Sequence, residues 1–210
     1  MSGDPVLVVP ATPADLPAVA AVLGEAFEDD PVIVGFVGPR DGRRERATHL
    51  FGALLAAEGD AAVVDVIRGH DGALLGAAVW ELPGTDGATL PALLGQTPGF
   101  LRALGLGGVR RALTGRSAFA RRRPAEDHWY LGQIGVTAAA RGAGVGSRLL
   151  EHRLRFIDAA GVGAYLESST ERNRGLYRRH GFEPQGVIDG VPHAEPVAMW
   201  RAPRTLAEVG

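Results

Sequence analysis

The feature that most constrains this chain is a glycine turn, Arg141-Gly142-Ala143-Gly144-Val145-Gly146, set between two patterned segments. Residues 129–136 read as an apolar strand. Residues 147–160 carry Leu149, Leu150, Leu154 and Ile157 at helical spacing. A strand that turns on glycines into an amphipathic helix aims successive backbone N–H groups from the positive end of that helix. Such a loop suits an anion like a pyrophosphate, and glycine lets the backbone come close to it. The dinucleotide fingerprint has one more spacer, and a P-loop needs a lysine, which this chain lacks. Glycine makes up 30 of 210 residues, so Arg-x-x-Gly-x-Gly is expected about 0.4 times by chance. A second copy occurs at Arg102-Ala103-Leu104-Gly105-Leu106-Gly107. No apolar strand precedes it, and it is set aside as a decoy.

The rest of the chain reads as one α/β domain over residues 1–210. Residues 7–9 form a first strand. A helix starts at Thr12 with Pro13 at its first position and Asp15 three residues on, keeps Leu16, Val19, Ala20, Leu23 and Phe27 on one face, and stops before Pro31. A helix over 43–58 and a strand pair over 61–67 and 73–82 follow. Residues 83–127 read as a helical insertion, with stretches at 90–94, 100–104 and 109–120 separated by glycines. Residues 128–188 hold the strand, the glycine turn, the long helix, a strand at 164–168 and a short helix at 172–180 closed by Gly181. Strands at 182–188 and 196–200 finish the chain. A crossover unit followed by a hairpin end predicts a mixed sheet.

Composition narrows the chemistry. Cysteine is absent, which removes disulfides, thiolate metal sites and a cysteine nucleophile. The six histidines are scattered without an i, i+4 pair, so no metal is expected. The formal net charge of −2 gives no general attraction to nucleic acid or an anionic membrane. No apolar run reaches the ~18 residues of a spanning helix, and a cytoplasmic protein is expected. The charge is uneven. Residues 1–39 contain six acids and no arginine, while residues 87–125 contain seven arginines and no acid. The arginine stretch has no interleaved aromatic but Phe119, so it reads as a solvated face rather than a base-stacking surface.

A second motif lies downstream: Asn173, Tyr177, Gly181 and Phe182, with the first two four apart on one helix face. Asn173 is the chain's one asparagine. A chance match of the other three spacings has odds on the order of 1 in 10⁴. Taken in order, residues 129–136, the glycine turn, Leu166-Glu167-Ser168-Ser169 and the Asn173 to Phe182 motif resemble the acetyl-CoA core of the GCN5-related N-acetyltransferase (GNAT) superfamily. Within it the chain is most similar to the group of puromycin N-acetyltransferase and its actinobacterial relatives. Glu25-Ala26-Phe27 before Asp30-Pro31 and the long central insertion carry that narrower likeness.

The resemblance implies a mostly antiparallel sheet splayed at its centre, flanked by helices, with acetyl-CoA entering from one side and an amine from the other. It implies that Arg141, Gly142, Ala143, Gly144, Val145, Gly146 and Ser147 hold the CoA pyrophosphate. Ile134, Gly135 and Val136 would pair with the pantetheine arm, and a backbone N–H there would polarise the acetyl carbonyl. Asn173 would bond the cofactor arm, and Tyr177 would protonate the leaving thiolate. Glu25, Phe27, Asp30, Tyr130 and Gln133 would line the acceptor side. An amine with pKa near 10 is about one part in a thousand neutral at pH 7, so a base or water chain must help. His128, Glu167, Tyr130, His193 and Gln133 through a water are the candidates. Gln133 cannot titrate, so the central strand offers no carboxylate.

Three functions stay open at this point. The first is direct acetyl transfer to a small-molecule primary amine, such as an antibiotic or an amino-acid-like amine. The second is transfer to a protein or peptide amine, which the acidic stretch would also suit. The third is an acyl-CoA sensor without turnover. The resemblance leaves monomer and homodimer both open.

Overall fold

The computed structural model describes residues 7–85 and 87–204. They form strands β1 (Val8–Pro10), β2 (Ala62–Arg68), β3 (Leu74–Glu81), β4 (His128–Val136), β5 (Gly163–Ser168), β6 (Glu183–Val187) and β7 (Val197–Arg201). The helices are α1 (Leu16–Ala26), α2 (Pro31–Val37), α3 (Arg43–Glu58), α4 (Leu90–Gly95), α5 (Thr97–Arg122), α6 (Val145–Ala160) and α7 (Glu171–Arg179). The strands make one sheet in the order β1-β2-β3-β4-β5-β7-β6. Every pairing is antiparallel except β4 with β5.

That exception places the site. β4 pairs with β5 from His128 against Gly163 to Leu131 against Leu166, and no further. Beyond it, β4 follows β3 up to Val136 against Gly76, while β5 follows β7 to Ser168 against Val197. The two central strands therefore part after Leu131. A bulge marks the place: Val79 faces Gln133 and Trp80 faces Leu131, leaving Gly132 as the extra residue. The bulge resets the alternation, so Tyr130 and Gln133 share one face and Leu131 and Ile134 the other.

Both faces are covered. Helices α1, α2, α3 and α5 pack on one, through Val19, Leu23, Phe36, Phe51, Val79 and Tyr165. Helices α6 and α7 pack on the other, through Leu149, Leu150, Ile157, Leu166, Tyr177 and Met199. On α6, Arg153 grips the fully buried Asp65 of β2 with two bonds of 2.9 and 2.6 Å.

Three sequence expectations are refined. The first turn after Thr12 is a 3-10 turn, Pro13–Asp15, with the Asp15 carboxylate accepting the Thr12 N–H at 2.8 Å. The first helix already ends at Ala26, and Asp30-Pro31 begins another. The Asp30 carboxylate accepts from the N–H groups of Val32 and Ile33 at 3.0 and 3.3 Å, and so caps α2, which the sequence reading left unassigned. In the insertion, the glycines do not all interrupt the helix. Only Gly105, at φ 59°, breaks α5. A Cβ at Gly108 would lie 2.7 Å from the Phe36 carbonyl oxygen, and one at Gly115 would lie 2.6 Å from the Phe36 ring. Glycine there lets α5 press onto α2. The decoy Arg102 motif lies inside α5.

Candidate active site

The glycine turn follows β4 through a 3-10 turn, Ala138–Ala140, and enters α6 at Val145. Gly142 and Gly144 take left-handed φ of 83° and 78°, a region costly to side-chain-bearing residues. A Cβ at either would meet nothing within 4 Å, so the loop faces open space. The backbone N–H groups of Gly142, Gly144, Val145, Gly146 and Ser147 find no backbone acceptor among the described residues. Five such donors at a helix start make a cradle whose chemistry suits an anion. Ala143 is not among them, since its N–H goes to the Ala140 carbonyl at 3.3 Å. Gly146 sits against Val136 of β4 and Leu176 of α7, so the cradle adjoins the opening between the strands. The Ser147 hydroxyl lies 3.3 Å from His180 Nε2.

Thr137 donates its N–H to Leu75 of β3 at 2.9 Å. By antiparallel alternation Gly135 also turns its backbone groups toward β3. Ile134 and Val136 therefore present theirs to the opening, where β5 has departed. An extended ligand arm fits there as an added strand.

On the α7 side, Thr170 caps the helix by accepting the Asn173 N–H at 3.3 Å. The Asn173 side chain makes no hydrogen bond among the described residues, and neither does the Tyr177 hydroxyl. Tyr177 is buried against Phe182. Burial, followed by the Asp30 charge, raises its pKa well above the usual phenol range.

The opposite side of the opening is a polar chamber. The Tyr130 hydroxyl donates to Glu167 Oε2 at 2.6 Å. The two rings of Tyr130 and Tyr165 stack at 6.0 Å. Burial pushes Glu167 up to about 7 against the opposing pull of the Tyr130 and Tyr165 hydroxyls. Next to it Glu81 pairs with Arg123 at 2.7 Å, and the Arg123 guanidinium lies 4.3 Å over the Tyr130 ring. Gln133 and Glu58 complete the chamber.

The structure brings Tyr130, Gln133 and Glu167 together but leaves His128 apart. His128 is in the paired part of β4, buried between Tyr165 and Trp200. Its Nδ1 bonds the Glu126 carbonyl at 2.6 Å, and its Nε2 accepts from Arg123 at 3.3 Å. Burial lowers its pKa, so it is a neutral ring with both nitrogens engaged. His193 lies in the β6–β7 loop with φ 63°, beside Gly35 of α2.

The acidic residues of the α1–α2 region are also engaged. Glu25 accepts the Ala138 N–H at 2.6 Å. Glu28 pairs with Arg44 at 2.9 Å and Asp29 with Arg43 at 3.2 Å. Asp30, besides capping α2, accepts the Ser169 hydroxyl. Phe27 packs on Phe51 at 5.2 Å.

Sequence reasoning missed Glu58, Glu81 and Arg123. A Glu closing an apolar strand and another closing a helix before glycine were the available signals. The arginine stretch is not wholly solvated either. Arg111 donates to the Gly35 and Phe36 carbonyls, Arg122 to Gln185 and Arg123 to Glu81.

Residues 107–184 match a family model described as an acetyltransferase (GNAT) domain. A Corynebacterium glutamicum structure described as histone acetyltransferase HPA2 and related acetyltransferase shares 32% identity, with TM-score 0.73 over 94% of this chain and 96% of its own. An uncharacterized N-acetyltransferase of Schizosaccharomyces pombe is 28% identical over 83% of this chain and 73% of its own. Arylalkylamine N-acetyltransferase 2 of Aedes aegypti has the same fold, with TM-score 0.64 at 12% identity over 95% of this chain and 99% of its own.

Proposed function

The chain belongs to the GNAT family of acetyltransferases, and from that premise we propose that it moves an acetyl group from acetyl-CoA to the primary amine of a small molecule, directly, in a ternary complex. The observation that carries this reading is the opening between β4 and β5. It has a cradle of free N–H groups at one end and a chamber holding Glu167 on the other face.

In this reading acetyl-CoA supplies the thioester, and its diphosphate suits the five N–H donors of the cradle. The backbone groups of Ile134 and Val136 hold its arm, with the Asn173 amide beside them. Glu167, with a pKa of about 7, takes the proton from the acceptor ammonium. The amine nitrogen then bonds the acetyl carbon, the carbon–sulfur bond breaks, and the nitrogen's second surplus proton passes through water to Tyr177, replacing the one that Tyr177 gives the sulfur. Tyr177 carries its proton throughout the neutral range and offers it to the departing sulfur.

Two features favour a small acceptor. Helix α5 of the insertion, with α1, α2 and α3, covers the face that holds the chamber. The acids that would draw a basic peptide are paired or capping instead. The second reading, a protein or peptide amine, is favoured by the description of the C. glutamicum relative. The narrower likeness to the puromycin group makes puromycin a first acceptor to try. A cytoplasmic location, where acetyl-CoA is available, goes with either reading.

The test is thiol release from acetyl-CoA over puromycin, aminoglycosides, polyamines, amino acids and a short basic peptide. Release with a small amine and not the peptide is expected. Release with the peptide alone would establish the second reading. Tyr177→Phe is expected to lower kcat by about 10²-fold, the usual scale for a general acid, and to leave acetyl-CoA affinity nearly unchanged.

A further inference from the structure

Glu58 is the last residue of α3, followed by Gly59. Its carboxyl turns inward and the residue is only 7% exposed. Its neighbour there is the side-chain amide of Gln133, on the bulged part of β4. Glu58 Oε2 and Gln133 Oε1 are both sealed from solvent, and neither has a hydrogen-bond partner among the described residues. Both atoms are acceptors. Left without a donor, each costs about 1–3 kcal/mol. One proton on Glu58 would satisfy both at once.

We propose that Glu58 is held as a neutral carboxylic acid that donates to the Gln133 side-chain carbonyl, and that this bond aims the Gln133 amide N–H groups at the acceptor side of the opening. Glu58 is thus a positioning residue. Its kinetic consequence rests on the acetyl-transfer reading above, whereas its protonation does not.

The surroundings agree with the proton. Glu81, across on β3, is the charged group that Glu58 feels, and its negative charge opposes ionisation. Arg123 is committed to Glu81. On β4 the group against Glu58 is the uncharged Gln133, and among the described residues no cation is a cause of its shift. Burial, then the Glu81 charge, pushes Glu58 up to about 8, outweighing a contact with the Gln133 side chain that favours the anion. Gln133 as a whole is half-buried while its Oε1 is sealed, so Nε2 is the end turned toward accessible space. The competing arrangement turns the amide over, with Nε2 donating to an ionised Glu58. It would leave two like charges acting on each other where burial penalises both, with Arg123 paired to Glu81.

Two measurements decide. In the first, glutamate carboxyls of the full chain, labelled with carbon-13, are titrated by NMR from pH 5 to 10. A signal titrating near 8 that vanishes in Glu58→Gln is expected. Glu58 titrating in the ordinary range near 4.5 would overturn the proposal. In the second, thiol release is followed against pH. Wild-type kcat is expected to fall by about tenfold above pH 8, the size of one lost hydrogen bond of about 1.4 kcal/mol. In Glu58→Gln, whose amide can still donate to Gln133, that fall is absent. In Glu58→Leu, which cannot donate, kcat is low at all pH values with KM for acetyl-CoA unchanged. An alkaline fall that persists in Glu58→Gln would also overturn the proposal. Should Glu58→Leu fail to fold, the Gln variant and the titration still decide. A titration near 8 without thiol release from any amine would remove the transfer reading and leave the Glu58 proton standing.

Discussion

The environment of Glu167 is what suits it to the proposed role of base. On β5 it lies just past the last β4 pairing, with one side of its backbone neighbourhood opened by the parting of the strands. Burial favours its neutral form, and the Tyr130 hydroxyl at 2.6 Å favours the charged form. The balance sets it near 7, where a base can both accept and release a proton at neutral pH. Only the ionised form can act, so kcat/KM is expected to rise as pH passes about 7. Glu167→Gln should remove that rise and lower kcat/KM by about 10²-fold. Tyr130→Phe should shift the rise to higher pH, because the lost bond stabilised the anion. Thiol release at saturating acetyl-CoA from pH 5.5 to 9 checks both. A rise that survives in Glu167→Gln would assign the base to another group.

At the scale of elements, the loop and α6 act as one device. The cradle depends on the left-handed φ of Gly142 and Gly144, which turns successive N–H groups outward. Gly144→Glu puts a carboxylate among donors meant for an anion. Its affinity for acetyl-CoA, measured by calorimetry, should fall by about 100-fold or more, the scale of a like-charge contact near a surface. Gly144→Asn, which tolerates the left-handed region, should fall far less. The protein should fold in both cases, since no atom lies within 4 Å of a Cβ at that position. Elsewhere α5 carries glycines for the opposite reason. Those at 108 and 115 are needed for close approach to Phe36, not for freedom of φ.

At the scale of the whole molecule, the raised carboxyls tie stability to pH. Folding raises Glu58 from 4.5 to about 8 and Glu167 from 4.5 to about 7. Between those values the folded chain binds more protons than the unfolded one. This contribution is complete below about 4.5 and is lost as pH rises through 7 and 8. Asp15, lowered to about 2 by Arg68 and Thr12, has the opposite sign and acts only as pH falls below about 4. Burial lowers His128, His152 and His180, which act with the opposite sign below about 6.5, so the melting temperature should decline from pH 7 to pH 8.5, as followed by circular dichroism. Glu58→Gln should flatten that decline. An unchanged slope in the variant would mean that Glu58 is ionised in the folded state.

The sequence by itself determined most of the element order, α2 excepted, and the stretch that the family resemblance assigns to the cofactor. Helical spacing, turn glycines and the run from residue 129 to 182 are local patterns, and each is legible from neighbours a few residues apart. The cradle, Asn173 with Tyr177, and the strand of Ile134 and Val136 all belong to that continuous stretch. The acceptor chamber was legible only in part. Glu167, Tyr130 and Gln133 stood out because they flank the same stretch. Glu58, Glu81 and Arg123 come from three distant segments that only the sheet and the α3–α5 packing bring together. Tertiary structure likewise decided that His128 is a satisfied core residue and that Asp30 is a helix cap. It also set the protonation of Glu58 and Glu167, because a pKa depends on burial and facing charges, and neither is a property of the local chain.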